Sequence, residues 1–215
     1  MRIIESLPEL NSEFKYKAVV FDLDGTLYNQ TKLRLNMAVR LGVYYCSHFW
    51  KIKELFVLKY FREVRDKWDE IRVDDAGVDD AQYAYVGGKK GVSAEYVERV
   101  VKKWIYDNPL DLLGKYRNEK LNSYIEGLQA AKIPVVIFSD YPIEDKIAAL
   151  SIKPDGMYCP GDERNIDLKP SPMGLELILN DFALAPEEIL MVGDRDEKDG
   201  EAARRAGVDY YICSF

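Results

Sequence analysis

Histidine and cysteine are scarce in this sequence, with one His and three Cys among 215 residues. Cys46, Cys159 and Cys213 lie far apart and form no Cys-x-x-Cys pair, which excludes a disulfide framework and points to reduced thiols in a cytoplasmic protein. Positive charge is also short: Lys and Arg total 30 against 37 for Asp and Glu, a formal charge of −7. Such a chain lacks the basic footprint of a general nucleic-acid or membrane-surface binder. A small anionic substrate remains compatible, because a local cation or metal can override the global charge. Long apolar runs are missing too. The most hydrophobic stretch, residues 41–61, is interrupted by His48, Lys51, Lys53 and Glu54, whereas a membrane span needs roughly 20 mainly apolar residues. Residues 1–17 carry charges throughout and lack the apolar core of a signal peptide. Repeats, low-complexity tracts and a Pro/Gly-rich linker are absent. The stretch Gly87-Gly88-Lys89-Lys90-Gly91 lacks the Gly-Lys-Ser/Thr arrangement of a phosphate-binding P-loop.

What is present is an ordinary capacity for burial, with 47% of residues hydrophobic, and a patterned order of segments. Residues 18–21 are a short apolar run ending in a carboxylate and a glycine turn. Similar runs recur at 133–138, 189–192 and 210–213. Runs of this length bounded by turn signals predict buried parallel strands. Between the late runs lie helical patterns. Residues 118–132 place Leu121, Tyr124, Ile125 and Leu128 on one face. Ser171 predicts an N-cap with Pro172 in the first helical position, followed by Leu175, Ile178, Leu179 and Phe182. Residues 197–205 precede Gly207, a helix stop. Strands alternating with helices predict an α/β core, a parallel sheet with helices on both faces. Ligands in such sheets bind outside the carboxyl ends of the strands.

Residues 28–117 break that alternation and predict an inserted helical domain, leaving 1–27 and 118–215 for the core. Phe49, Ile52, Phe56, Tyr60, Val64, Trp68 and Ile71 recur at helical spacing, and this aromatic stripe is expected to form the insertion's own core. Tyr44, Tyr45, Phe49 and Trp50 are likewise expected to pack, not to stack on a nucleobase. A second helix is expected after Ser93, with Val97, Val100, Val101, Trp104 and Ile105 inward. Residues 74–91 read as an irregular loop. His48 is placed on a helix of the insertion, without a catalytic role.

The charged residues carry the functional signal. Asp22, Asp24, Ser139, Asp140, Asp194 and Asp199 all fall at or just beyond the ends of expected strands. One such residue is often only a turn or cap; three strands ending this way, on one edge of a parallel sheet, indicate a site. Clustered carboxylates repel each other unless a cation sits among them, and oxygen ligands favour a hard ion such as magnesium. In Asp22-Leu23-Asp24-Gly25-Thr26, the paired carboxylates suit a nucleophile that also ligates metal and a group that moves protons. Gly25 permits the turn that keeps both near a substrate. Lys169, just before a helix, could neutralise a carboxylate and an incoming phosphate; a solvated surface lysine is the plainer reading of that residue alone.

These residues together resemble the haloacid dehalogenase superfamily, in particular its capped phosphatases of the phosphoglycolate phosphatase type. Asp22 to Thr26 resembles the first motif, the strand ending at Ser139 the second, Lys169 in Lys-Pro-Ser-Pro the third, and Gly193-Asp194 with Asp199 the fourth. The resemblance implies a Rossmann-like core with an inserted α-helical cap of the C1 type and a magnesium-dependent phosphatase acting through an aspartyl-phosphate. It implies Asp22 as nucleophile and Asp24 as general acid then base, its carbonyl also on the metal. It further implies Ser139 on the phosphoryl group, Lys169 holding Asp22 and phosphate, Asp194 as a metal ligand and Asp199 supporting the metal. Thr26, Asp140, Lys32, Arg34 and Lys89 are candidate substrate contacts, together with Lys90; for the cap cations a solvated face is the plainer reading. Asp at position 24 favours phosphatase or phosphomutase chemistry, since the dehalogenase branch lacks it. Two departures stand out: Asp140 replaces a common Asn, and the gap from Asp194 to Asp199 is one residue longer than usual. The expected partner is a small phosphorylated metabolite, with no nucleic acid and no membrane, acting on a monomer or homodimer. The rival readings are a phosphomutase similar to β-phosphoglucomutase, a receiver-like phospho-acceptor, and a scaffold without activity.

Overall fold

Short apolar runs rich in Val and Ile cannot complete a helix of useful length, and here they pair with one another. In the computed structural model, which describes residues 1–71, 77–161, 164 and 166–215, the strands are β1 (Ala18–Phe21), β2 (Val135–Phe138), β3 (Gly156–Tyr158), β4 (Ile189–Gly193) and β5 (Asp209–Ile212). They form one parallel sheet in the order β3-β2-β1-β4-β5. β3 has no counterpart in the sequence reading. It is an edge strand of three residues with only Tyr158 buried, too short and too exposed to show a pattern. The other strands lie within two residues of expectation.

The helices, in chain order, begin with α1 (Gln30–Ser47), α2 (Lys53–Asp66), α3 (Trp68–Ile71), α4 (Val78–Lys90), α5 (Ala94–Val101) and α6 (Leu110–Leu113). They continue with α7 (Glu119–Ala130), α8 (Glu144–Leu150), α9 (Met173–Asp181) and α10 (Glu201–Ala206). Ala18, Val20, Val136, Phe138, Ile189 and Met191 share a fully buried cluster with Leu175 and Ile178 of α9 and Ala202 and Ala203 of α10. The alternate residues Val19, Phe21, Val135, Ile137, Leu190 and Val192 are fully buried as well, so the sheet is covered on both faces. The structure starts α9 two residues after Ser171, whose Oγ accepts from the Met173 amide at 3.4 Å. No described helix is long and apolar enough to cross a membrane.

The chain divides into two compact units, Met1–Gln30 with Leu113–Phe215, and Thr31–Leu112. In the second unit only part of the aromatic stripe joins the core: Val64 and Trp68 are buried, but its first members are not. Phe49, Trp50, Ile52 and Phe56 are exposed, at 71%, 61%, 43% and 62%. The cause is a loss of phase: α1 ends at Ser47 and a tight turn at Phe49–Lys51 precedes α2, so no single helix spans the stripe. His48 falls off the helix, at that turn, with its ring stacked 4.2 Å from Tyr44.

α2 buries Glu54, Val57, Leu58, Phe61, Val64 and Arg65. Two of these are charged, and each has partners: Glu54 accepts from Tyr45 at 2.8 Å and Trp104 at 3.3 Å, and Arg65 meets Asp79 at 2.6 Å and Gln82 at 2.8 Å. Ser93 caps α5 as expected, accepting from the Tyr96 amide, and Val97, Val100, Val101 and Trp104 are buried. Residues 78–90, read as loop, form α4. Its acidic first turn and basic last turn suit the helix dipole, with Gly77 and Gly91 at its two ends, and residues 74–76 of that reading lie outside the described residues.

Candidate active site

The register of the sheet assembles the site. Phe21 is level with Ile137 and Val192, so the residues that follow these strands emerge at one edge. There the Asp22 amide donates to Val192 O at 2.8 Å, and the Ser139 amide to Tyr158 O at 3.0 Å. β1 is the strand at which the chain reverses its direction of travel across the sheet, and the mouth of such a switch point is where α/β sheets bind ligands.

Asp22 is 5% exposed and lies between two donors. Oδ1 meets the Lys169 ammonium at 2.5 Å, and Oδ2 accepts from the Thr26 hydroxyl at 3.0 Å. Thr26 is fully buried and therefore orients Asp22 from inside the protein. Lys169 Nζ also meets Asp199 Oδ1 at 2.6 Å, and the other Asp199 oxygen accepts the amides of Asp194 and Arg195 at 3.1 and 3.0 Å. Asp199 thus holds Lys169 and braces the loop that carries Asp194. Asp140, expected near substrate, accepts the Lys169 amide at 2.9 Å and so places that lysine's backbone.

Two glycines make this crowding possible. A Cβ at Gly25, whose φ is +108°, would overlap the Asp194 carboxylate, and one at Gly193 would overlap that of Asp199.

Asp22, Asp194 and Asp199 each offer a carboxylate oxygen within 4.8 Å of the others. Burial pushes the Asp22 carboxyl well above its usual range, with Asp199 and Asp194 adding to the rise and Lys169 opposing it. Burial and then Asp199 push Asp194 up to about 6. Lys169 is held in its charged form: burial disfavours the ammonium, but Asp199, Asp22 and Asp140 outweigh it. Three carboxylates against one ammonium leave a deficit of positive charge, which a divalent cation bound by oxygen would fill. The donor set therefore fits such an ion.

Asp24 stands apart from that trio. Its carboxylate meets Lys146 Nζ at 2.6 and 2.7 Å, accepts from Ser139 Oγ at 3.1 Å and also accepts from the Tyr28 hydroxyl. Burial alone would raise its pKa, but Lys146, with Tyr28 and Ser139, outweighs burial and holds it below the usual range. Ser139, expected on a phosphoryl group, here serves Asp24 and accepts the Tyr141 amide at 3.1 Å. Sequence reasoning missed Lys146 and Tyr28. Lys146 left one signal, a cation in the first turn of α8, where the helix dipole disfavours it unless it is paired. Lys32, Arg34, Lys89 and Lys90 belong to the second unit and are exposed. There Lys89 lies 5.5 Å from the Tyr85 ring and Lys90 4.1 Å from the Tyr60 ring.

A parallel sheet whose central strand ends in Asp-x-Asp, with a lysine and a second acidic strand end beside it, defines a class of hydrolase. The chain belongs to the haloacid dehalogenase-like hydrolase family, which matches residues 16–207. Among solved structures it is similar to a protein described as a predicted phosphoglycolate phosphatase from Haemophilus somnus 129PT, at 19% identity and TM-score 0.57, covering 93% of this chain and 85% of that one. It is also similar to a 2-haloacid dehalogenase from Pseudomonas syringae pv. tomato DC3000, at 16% identity and TM-score 0.58, covering 92% and 86%. The magnesium-bound HAD-hydrolase YfnB from Bacillus subtilis is similar at 13% identity and TM-score 0.60, covering 92% and 88%. At these identities the likeness is one of fold. No curated protein sequence matches the chain.

Proposed function

We propose that the protein is a magnesium-dependent phosphatase that hydrolyses a small phosphomonoester through a phosphorylated Asp22. The observation that carries this reading is the division of labour between two buried carboxylates two residues apart. Asp22 faces Lys169 and the acidic trio, while Asp24 faces a separate set of donors. Asp22 and Asp194 would hold the ion, with Asp199 behind them and the Asp24 carbonyl as a further ligand. When bound, magnesium supplies charge stabilisation to the phosphoryl oxygens and favours the ionised form of Asp22.

Asp22 attacks phosphorus, and Thr26 and Lys169 fix the direction of its oxygens. Lys169 stabilises charge on the phosphoryl group as the bond to the leaving oxygen breaks. For this step Asp24 must carry a proton when the ester binds, which its pairing with Lys146 opposes; it gives that proton to the leaving oxygen and then takes one from the water that hydrolyses the phosphoaspartate. This requirement separates the reading from dehalogenation: a halide leaves as a stable anion and needs no proton, whereas an alkoxide does. Selection of the leaving group is assigned to the second unit, where Lys32, Arg34 and Lys89 are the exposed cations to test.

Phosphate release across a panel of small phosphomonoesters, with magnesium and with excess chelator, tests the reading beside Asp22→Asn. Expected is magnesium-dependent turnover that Asp22→Asn abolishes. Undiminished turnover in Asp22→Asn, after deamidation is ruled out, would remove Asp22 as the nucleophile.

A further inference from the structure

α1 is apolar on the side that its own unit leaves open. Its inward face is Leu33, Met37 and Tyr45, all buried. The opposite face is Leu35, Ala38, Val39, Gly42, Val43 and Cys46, all exposed, with Leu35 at 71%, Val39 at 62% and Val43 at 69%. The spacing i, i+3, i+4, i+7, i+8, i+11 draws one stripe along a helix, a pattern that ordinarily turns inward. A solvated face at these positions would carry charge. From Leu35 to Ser47 the one charged residue is Arg40, and its guanidinium is taken up inside the unit, by Asn108 O at 2.9 Å and by Asp111 at 2.8 and 2.6 Å. Gly42 adds a second observation. A glycine in a helix interior weakens the helix, and packing within the chain does not call for this one, since a Cβ there would meet nothing within 4 Å among the described residues. On an exposed apolar stripe, a glycine suits the close approach of another backbone.

The charges of α1 indicate what approaches. Lys32 and Arg34 lie at its N-terminal end, while the first turn holds no acidic residue and the last turn no basic one, so neither end complements the helix dipole. A second α1 lying antiparallel corrects both ends, because the cations of each copy reach the carbonyl end of the other. The stripe matches itself in that arrangement. About a two-fold axis through its middle, Leu35 comes opposite Cys46, Ala38 opposite Val43 and Val39 opposite Gly42, a larger side chain against a smaller one each time. With the exposed Phe49 beyond its end, the face offers on the order of 600 Å² per copy, so a pair buries roughly 1,200 Å², the lower limit of a stable interface.

We propose that the protein forms a two-fold homodimer by antiparallel packing of α1 against α1 of a second copy. A lipid surface suits this face less well. An interfacial helix sets its apolar side against a strongly charged one, whereas the far side of α1 is packed within its own unit.

Sedimentation of the whole chain, kept reduced, from below micromolar to near millimolar concentration tests the association. Expected is a reversible monomer–dimer equilibrium that Val39→Lys weakens at least about 100-fold, by setting two charges into the apolar seam. Met157→Lys, which adds the same charge at an exposed site in the first unit, leaves the equilibrium unchanged. Circular dichroism checks that Val39→Lys folds, and Val43→Lys replaces it if it does not. Cross-linking reads the register. On oxidation, Leu35→Cys is expected to couple to Cys46 of the other copy and give a dimer that reductant dissolves; adding Cys46→Ser abolishes it. Cys159 and Cys213 are buried and take no part. A chain that stays monomeric throughout, or a dimer indifferent to Val39→Lys, would overturn the proposal. Cross-linking that persists with Cys46→Ser would overturn the antiparallel arrangement. A monomer that sediments with phosphatidylserine vesicles, and no longer does so as Val39→Lys, would assign the face to a lipid surface instead.

Discussion

Lys169 is 2% exposed and lies within 2.6 Å of two carboxylates, so its loss removes from the buried Asp22 and Asp199 the one ion-pair partner that they have among the described residues. Lys169→Met is expected to cost about 3–5 kcal/mol of stability near neutral pH. Protonation relieves part of that cost, so the difference from wild type in urea denaturation should shrink at pH 5. Asp194 supplies a second pH effect. Its carboxyl rises from 3.8 to about 6, chiefly through burial. Between those values the folded, metal-free protein holds more protons than the unfolded chain, so its stability falls as pH rises through that window. Magnesium held as proposed would compete with the same protons. The rise in melting temperature on adding magnesium is therefore expected to be larger at pH 7 than at pH 5, and a shift that ran the other way would exclude Asp194 from the metal site. At this scale Asp22, Asp24, Ser139, Asp194 and Asp199 were legible, because strand ends in a parallel sheet converge, whereas Lys169, in a loop before α9, was legible only through the family resemblance. Lys146 and Tyr28 were not. A lysine on a short helix and a tyrosine after a turn read as surface and packing until their partner's position is known.

The strands were legible as elements because each is short, apolar and bounded by turns, and the exception, β3, offers neither length nor full burial. The second unit was harder. A stripe read along a continuous helix assigned Phe56 to the core, whereas the break at residues 48–52 turns it outward and lets Phe61 take its place. Phe61→Ala is expected to cost about 3–5 kcal/mol, and Phe56→Ala to stay within about 0.5 kcal/mol. Equal effects in a denaturation series would contradict the observed phase. Arg65 was invisible to hydrophobic periodicity because it is buried by virtue of its partners, Asp79 and Gln82. α4 was misread through Gly87 and Gly88. A Cβ at Gly87 would meet the Val92 carbonyl at 2.8 Å, so a glycine is needed there for packing between α4 and the turn before α5, not for a loop.

The whole molecule consists of one unit made of two chain segments and one made of a single segment, Thr31–Leu112. The three clustered carboxylates all lie in the first unit. Calorimetry is expected to depart from a two-state transition, with magnesium moving the part that reports the first unit and leaving the other in place. A single transition that moves as a whole would show that the units unfold together. The order of strands also has a consequence in time. β1 is the first strand to be made yet lies in the middle of the sheet, where Val19 pairs with Val135 on one side and Leu190 on the other. At roughly 5–20 residues per second, the first of those neighbours leaves the ribosome on the order of 10 s after it. During that interval four apolar residues wait without a partner while the helical segment, already complete, can collapse. A nascent chain stalled before β4 would carry Asp22, Asp24 and Lys169 but neither Asp194 nor Asp199, so the acidic cluster is completed only once β4 and the turn after it have been made.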